Sequence, residues 1–182
     1  GSGRAVLPLM LYVVSFPSYR NPEDERCVST WRQRFCAPHA ETVDGHFTLV
    51  FGTDALSRDD LMAHVSAIAA RTPPFHVALA TSLIWPEDGV YHLFGVPEQG
   101  LSTSAGLHDV LYKGQLEPEL RTDLPYLPHM TLGCSTMRAD AVKQQEEIQK
   151  ALPIVMDIGA LELIDTSEGV ARVASIPLGC GA

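Results

Sequence analysis

The sequence predicts an α+β fold of two pseudo-symmetric halves, each with an antiparallel sheet and helices, arranged about a central groove. Three observations predict it. The tetrapeptide His-x-Thr-Leu occurs twice, as HFTL from residue 46 and HMTL from residue 129, in a chain with only seven histidines. Each copy is followed by the same succession of patterns: a helical stretch, a proline break, then a pair of apolar stretches around a turn. The repeat unit of about 80 residues is too long for a solenoid, whose periods are roughly 20 to 50, so it reads as a duplication inside one domain.

Composition fits that reading. The chain has 182 residues, 46% of them apolar and 19% charged, within the range of an ordinary globular domain. A single domain over 4–182 is expected, with the opening GSG at 1–3 read as an expression scar. No apolar run reaches 18 residues, and AVLPLMLYVVSF contains Pro8 and lacks a small-residue cleavage site. Neither a membrane span nor a signal peptide is expected, and the location is read as cytoplasmic. The formal net charge of −9 and the lack of any Lys/Arg-rich run argue against a long nucleic-acid duplex as partner. A small nucleotide or an RNA end is the expected ligand, bound by a monomer. Cys27, Cys36, Cys134 and Cys180 show no CxxC pair or zinc-ligand spacing and are expected to be reduced thiols.

The elements follow in order. Residues 5 to 16 form an apolar strand closed by Pro17. Asn21 as cap, Pro22 at the first helical position and Glu23, Asp24 and Glu25 in the first turn predict a helix over about 22 to 36. Gly45 to Gly52 is a strand, with Phe47, Leu49 and Phe51 on one face and His46, Thr48 and Val50 on the other. SRDD resembles a capping box and opens a helix of about 57 to 70. FHVALATSLIW and VYHLFGV form a hairpin about PEDG, and a short helix is expected near 103 to 113. The three prolines of 114–128 mark a loop that delivers the chain to the second motif strand. A polar amphipathic helix over about 138 to 150 comes next, then two strands, IVMDIGALELI and GVARVASIPL, joined near DTSEG.

On a strand the side chains repeat every second residue, so His and Thr of each motif share a face with Cα atoms about 6.6 Å apart. One oxyanion can touch both. Two such strands facing each other supply two imidazoles and two hydroxyls to one cleft, which suits a phosphate diester or cyclic phosphate. Its hydrolysis needs a base for the attacking oxygen and an acid for the leaving oxygen, and imidazoles serve as both near neutral pH. The threonine hydroxyls can donate to the non-bridging oxygens, where charge grows. The scheme requires no metal or cofactor, and the sequence shows no carboxylate cluster that suggests one.

HFTLVFG and PHMTLGCS, one per half, resemble the paired H-x-[ST]-x signatures of the two-histidine phosphoesterase superfamily, in particular its 2′-5′ RNA ligase-like members. The resemblance spans nearly the whole chain, from the strand at 5–16 and the helix ending WRQRF to both hairpins. It implies a bilobal α+β fold with a central groove and activity on 2′,3′-cyclic phosphates, 2′-5′ linkages or similar cyclic nucleotides. It places His46, Thr48, His129 and Thr131 as the catalytic set. Which histidine is acid and which base stays open. The first motif reads DGHFTL where many relatives have proline directly before the histidine, a departure that touches strand entry rather than chemistry.

Two further residues are candidates for binding substrate. Tyr126 can stack a base at the groove wall, and Arg34 can meet a phosphate. His39, His64, His76, His92 and His108 lack a partner motif and receive no role, and Cys134 reads as an ordinary strand cysteine. The alternative to an enzyme is a non-catalytic nucleotide- or RNA-end-binding module of the same fold.

Overall fold

The computed structural model describes residues 10–35 and 43–179. In chain order it contains β1 (Leu11–Ser15), β2 (Ser18–Tyr19), α1 (Pro22–Phe35), β3 (Phe47–Thr53), α2 (Arg58–Ala69), β4 (Phe75–Glu87), β5 (Val90–Gln99), α3 (Leu101–Leu111), a 3₁₀ helix (Gly114–Glu119), β6 (Met130–Ser135), α4 (Arg138–Ala151), β7 (Ile154–Ile158), β8 (Ala160–Asp165) and β9 (Ala171–Pro177). Residues 5–9 of the first predicted strand lie outside the described residues, as do Cys36, His39 and Cys180.

Local signals account for the termini. The Asn21 side chain accepts from the Glu23 amide at 3.0 Å, and the acidic first turn of α1 offsets the helix dipole, with Arg32 and Arg34 at the other end. The Ser57 hydroxyl accepts from the Asp60 amide at 3.1 Å, and Leu61, Val65 and Ile68 of α2 are buried. Asp88 and Gly89 both take positive φ, 49° and 77°, as a tight hairpin turn between β4 and β5 demands.

The strands form one antiparallel sheet in the order β2-β7-β4-β5-β6-β3-β1-β8-β9. The two motif strands, β6 and β3, are neighbours at its centre. They touch through a single register pair, Phe47 with Met130. On one side α1 and α4 pack against β6 and the β4–β5 hairpin, and on the other α2 and α3 pack against β8, β9 and β3.

The two-lobed α+β architecture is as predicted, but the lobes are not the sequence halves. The hairpin that follows His46 in the chain, β4–β5, pairs with β6, which carries the second motif. The hairpin that follows His129, β8–β9, pairs through β1 with β3, which carries the first. IVMDIGALELI is therefore two strands rather than one: β7 pairs with β4 and β2, the chain turns at Gly159, and β8 crosses to the other lobe. A repeat fixes the order of elements and leaves their partners open, since an unpaired strand edge accepts any segment of matching pattern.

Two smaller expectations are corrected. The alternation in β3 breaks at a bulge, where the register steps from Val14–Thr48 to Val13–Val50. Val50 is consequently fully buried and Phe51 is 46% exposed, opposite to the predicted faces. Cys134 is disulfide-bonded rather than a thiol, while Cys27 is free. The Cys134 sulfur also lies 3.6 Å from the Phe35 carbonyl oxygen, at the end of α1. Among the described residues no helix is long and apolar enough to cross a membrane.

Candidate active site

The Phe47–Met130 pair decides where the motif residues point. Phe47 is 3% exposed and Met130 is fully buried, so both side chains face the core. Pleating then sends the flanking residues to the opposite side of the sheet. Continuing the antiparallel register by one step sets His46 across from Thr131 and Thr48 across from His129. The two histidines thus lie on a diagonal, with Cα atoms about 8 Å apart. All four side chains are half-buried, and His46 is close enough for its charge to lower the pKa of His129.

Each imidazole is held in the same way. His46 Nδ1 lies 2.7 Å from the carbonyl oxygen of Asp44, and His129 Nδ1 lies 2.8 Å from that of Leu127, two residues upstream in both cases. A carbonyl only accepts, so each Nδ1 carries the proton and donates it. That leaves Nε2 of each ring as the basic nitrogen in the neutral form, free for proton transfer.

An aromatic ring braces each histidine. Phe16 meets His46 edge-on at 5.8 Å and 64°, and is itself covered by the Arg172 guanidinium at 4.4 Å. Phe94 stacks on His129 at 3.7 Å and 19°. Burial pushes both imidazoles below their ordinary pKa, against the raising effect of the carbonyl bonds. The charge of Arg32 lowers His46 further, and the charges of His46 and His92 lower His129 further.

A cavity of about 650 Å³ opens beside His129 and Thr131, walled by Phe51, Trp85, His92, Phe94 and Tyr126. Trp85 and Phe94 stack at 5.9 Å and 17° and offer flat apolar surface next to the histidine. Tyr126 lies in this wall, and its ring rests on His108 at 3.8 Å and 2°. Its hydroxyl donates to the Thr48 carbonyl at 2.7 Å, so the tyrosine fastens the loop before β6 to β3. Burial raises its pKa. Arg34 is not brought to the groove: it pairs with Glu147 of α4 at 3.0 Å and lies over the Phe35 ring.

His92 and His108, given no role from the sequence, both line the cavity. Sequence reasoning also missed Phe94 and Phe51. For Phe94 a signal existed in the Trp-x-x-x-x-x-x-His-x-Phe pattern of a hairpin whose outer face is aromatic. For Phe51 there was none, because the bulge that turns it is set by β1. Among the described residues no group of three or more His, Cys, Asp or Glu side chains is placed to hold a metal ion.

An arrangement of two basic imidazole nitrogens and two hydroxyls on one sheet face can take a proton from one oxygen, give a proton to another, and donate to charge between them. Known proteins share the scaffold. Escherichia coli LigT, solved in complex with 3′-AMP, superposes with a TM-score of 0.62 at 20% identity over 95% of this chain and 99% of that one. The Thermus thermophilus protein TT0787 gives 0.59 at 16% over 94% and 99%, and Usb1 of Kluyveromyces marxianus gives 0.58 at 11% over 93% and 98%. No curated protein sequence matches the chain. The sequence profile of the 2′-5′ RNA ligase superfamily matches residues 20–170, which include both histidine motifs, and the chain belongs to that superfamily of phosphoesterases.

Proposed function

We propose that the protein is a phosphodiesterase that hydrolyses a 2′,3′-cyclic phosphate, on a mononucleotide or an RNA end, or a 2′-5′ phosphodiester. The observation that carries this reading is the diagonal set of His46, Thr48, His129 and Thr131 about the Phe47–Met130 pair. One neutral imidazole takes a proton from water through Nε2 as the water oxygen bonds to phosphorus. The other, protonated, gives its proton to the ribose oxygen as the phosphorus–oxygen bond breaks. The product is a phosphomonoester with a free hydroxyl, and the two rings have exchanged protonation states. Thr48 and Thr131 donate to the non-bridging oxygens as their charge grows. Aromatic surface at Trp85 and Phe94 suits the flat face of a nucleobase beside the phosphate. The formal charge of −9 favours a small anion met by local donors over a long backbone met by a basic stripe.

The test is hydrolysis of the four 2′,3′-cyclic mononucleotides and of 2′-5′ dinucleotides by the purified protein in excess chelator. Turnover that survives the chelator and disappears in His46→Ala and His129→Ala is expected. Tight binding of the same compounds without turnover would instead identify a non-catalytic binding module.

A further inference from the structure

Arg32 is 8% exposed, on the inner face of α1 beneath the junction of the two motif strands. Its Nη1 donates to the Thr131 carbonyl at 2.6 Å and its Nη2 to the Val43 carbonyl at 2.7 Å. Thr131 is the threonine of the second motif, and Val43 begins the turn that leads into His46. No ion pair to Arg32 is formed among the described residues. A buried cation is tolerated only where its donors are met, and here main-chain carbonyls of two different lobes meet them.

The junction needs such a tie. Phe47–Met130 is the one register pair joining β3 to β6, so a single step of ladder, with the Tyr126–Thr48 bond beside it, fixes one motif strand against the other. The guanidinium adds a further bond path: from Thr131, through the fork, to Val43. The next residue, Asp44, supplies the carbonyl that holds His46 Nδ1. The orientation of the His46 ring and its distance from the Thr131 hydroxyl therefore both depend on the fork. A lysine ammonium, being one point on a flexible stem, does not reproduce a planar fork with two nitrogens at fixed spacing.

We propose that Arg32 is a positioning residue for the two-histidine reaction, clamping the turn before His46 to the Thr131 peptide and holding its charge near the His46 ring. This rests on the phosphodiesterase reading for its catalytic consequence alone. The titratable groups around the guanidinium are Tyr19 of β2, Glu25 of α1, Asp44 of the turn and His46 itself. The Arg32 charge acts on His46 in the direction that keeps the imidazole neutral.

The experiment is NMR titration of labelled imidazoles in the full chain, with kinetics on the same samples, for wild type, Arg32→Met and Arg32→Lys. In Arg32→Met the His46 pKa is expected to rise, while kcat falls about 10- to 100-fold with KM changed less than about threefold, since placement rather than binding is lost. Arg32→Lys keeps the charge, so its His46 pKa stays near wild type, and its kcat is nevertheless not restored. A readout needing no variant is guanidinium proton exchange in the wild type, expected slow at Arg32 and fast at the exposed Arg34. Unchanged His46 pKa and kcat in folded Arg32→Met, or exchange at Arg32 as fast as at Arg34, would overturn the clamp. If no cyclic phosphate is hydrolysed even by wild type, the functional reading fails by itself, and the imidazole titration and proton exchange still decide the clamp.

Discussion

Phe47 and Met130 face each other in the core as the register pair that joins β3 to β6 among the described residues. Their burial is what turns His46, Thr48, His129 and Thr131 outward together. The motif is thus a consequence of packing as much as of chemistry.

His46→Ala and His129→Ala should each lower kcat for a 2′,3′-cyclic phosphate by about 10² to 10⁴-fold, the range for loss of one acid or base. In the proposed reaction both proton transfers belong to one step, so the double variant should be little worse than the poorer single. Steady-state kinetics with a circular dichroism spectrum of each variant checks this. Costs that multiply would show the two rings acting on separate steps.

The pH profile follows from the directions of the shifts. Both imidazoles are held below their usual value of about 6.5, chiefly by burial. In the proposed reaction one is neutral and the other protonated, so kcat/KM falls below the lower macroscopic pKa as the base gains a proton. It falls above the higher one as the acid loses its own. With both below 6.5, the maximum should lie on the acid side of about 6.5. Phe94→Ala uncovers His129, weakens the cause of its shift and should move the profile toward higher pH. A wild-type optimum in the alkaline range would contradict the assignment.

The motif strands were legible because period-2 geometry keeps His and Thr on one face whatever the strand pairs with. The helix starts were legible because Asn21, Pro22 and Ser57 cap locally. What depends on pairing was not: Phe94 reaches His129 from β5, which the exchange of hairpins sets beside β6, and Phe16 reaches His46 from the residue after β1, the strand that pairs with β3. Arg32 is an intermediate case. Val28, Trp31 and Arg32 stand at i, i+3 and i+4, and all three are buried, so the apolar stripe of α1 already pointed Arg32 inward and Arg34 away from it. Arg34, a helix-surface arginine able to meet a phosphate, is instead taken up by Glu147.

Gly100 supports the cavity wall from a distance. It precedes α3, the helix that carries His108, and takes φ of 85°. A Cβ built there would run into the His76 carbonyl and the Val77 side chain. Gly100→Ala should therefore cost about 2 to 4 kcal/mol, the sum of left-handed strain and displaced backbone. Gly114→Ala is the control. It has φ of 78° but open space around the added carbon, and should cost only about 1 to 2 kcal/mol. Urea denaturation of both variants separates crowding from strain, and equal losses would show that the contact at His76 is relieved at no cost.

The threonines separate this mechanism from a bare pair of histidines. Thr131 is held to Arg32 through its carbonyl, and Thr48 to Tyr126 through its own, so neither tie involves the hydroxyl. Replacing either threonine with valine keeps the β-branched shape and both main-chain bonds, and removes only the hydroxyl donor. Turnover should fall by about 10 to 10³-fold at each site, because the lost bond is strongest where the non-bridging oxygens carry most charge. The melting temperature should hardly move, since the side chains are half-buried at a wet groove rather than enclosed in the core. Threonine to serine retains the hydroxyl and should be far milder. Kinetics and melting curves on the two valine and two serine variants make the comparison. Normal turnover in both valine variants would remove the hydroxyls from the mechanism, and a collapse of the fold in either would make that threonine a structural residue.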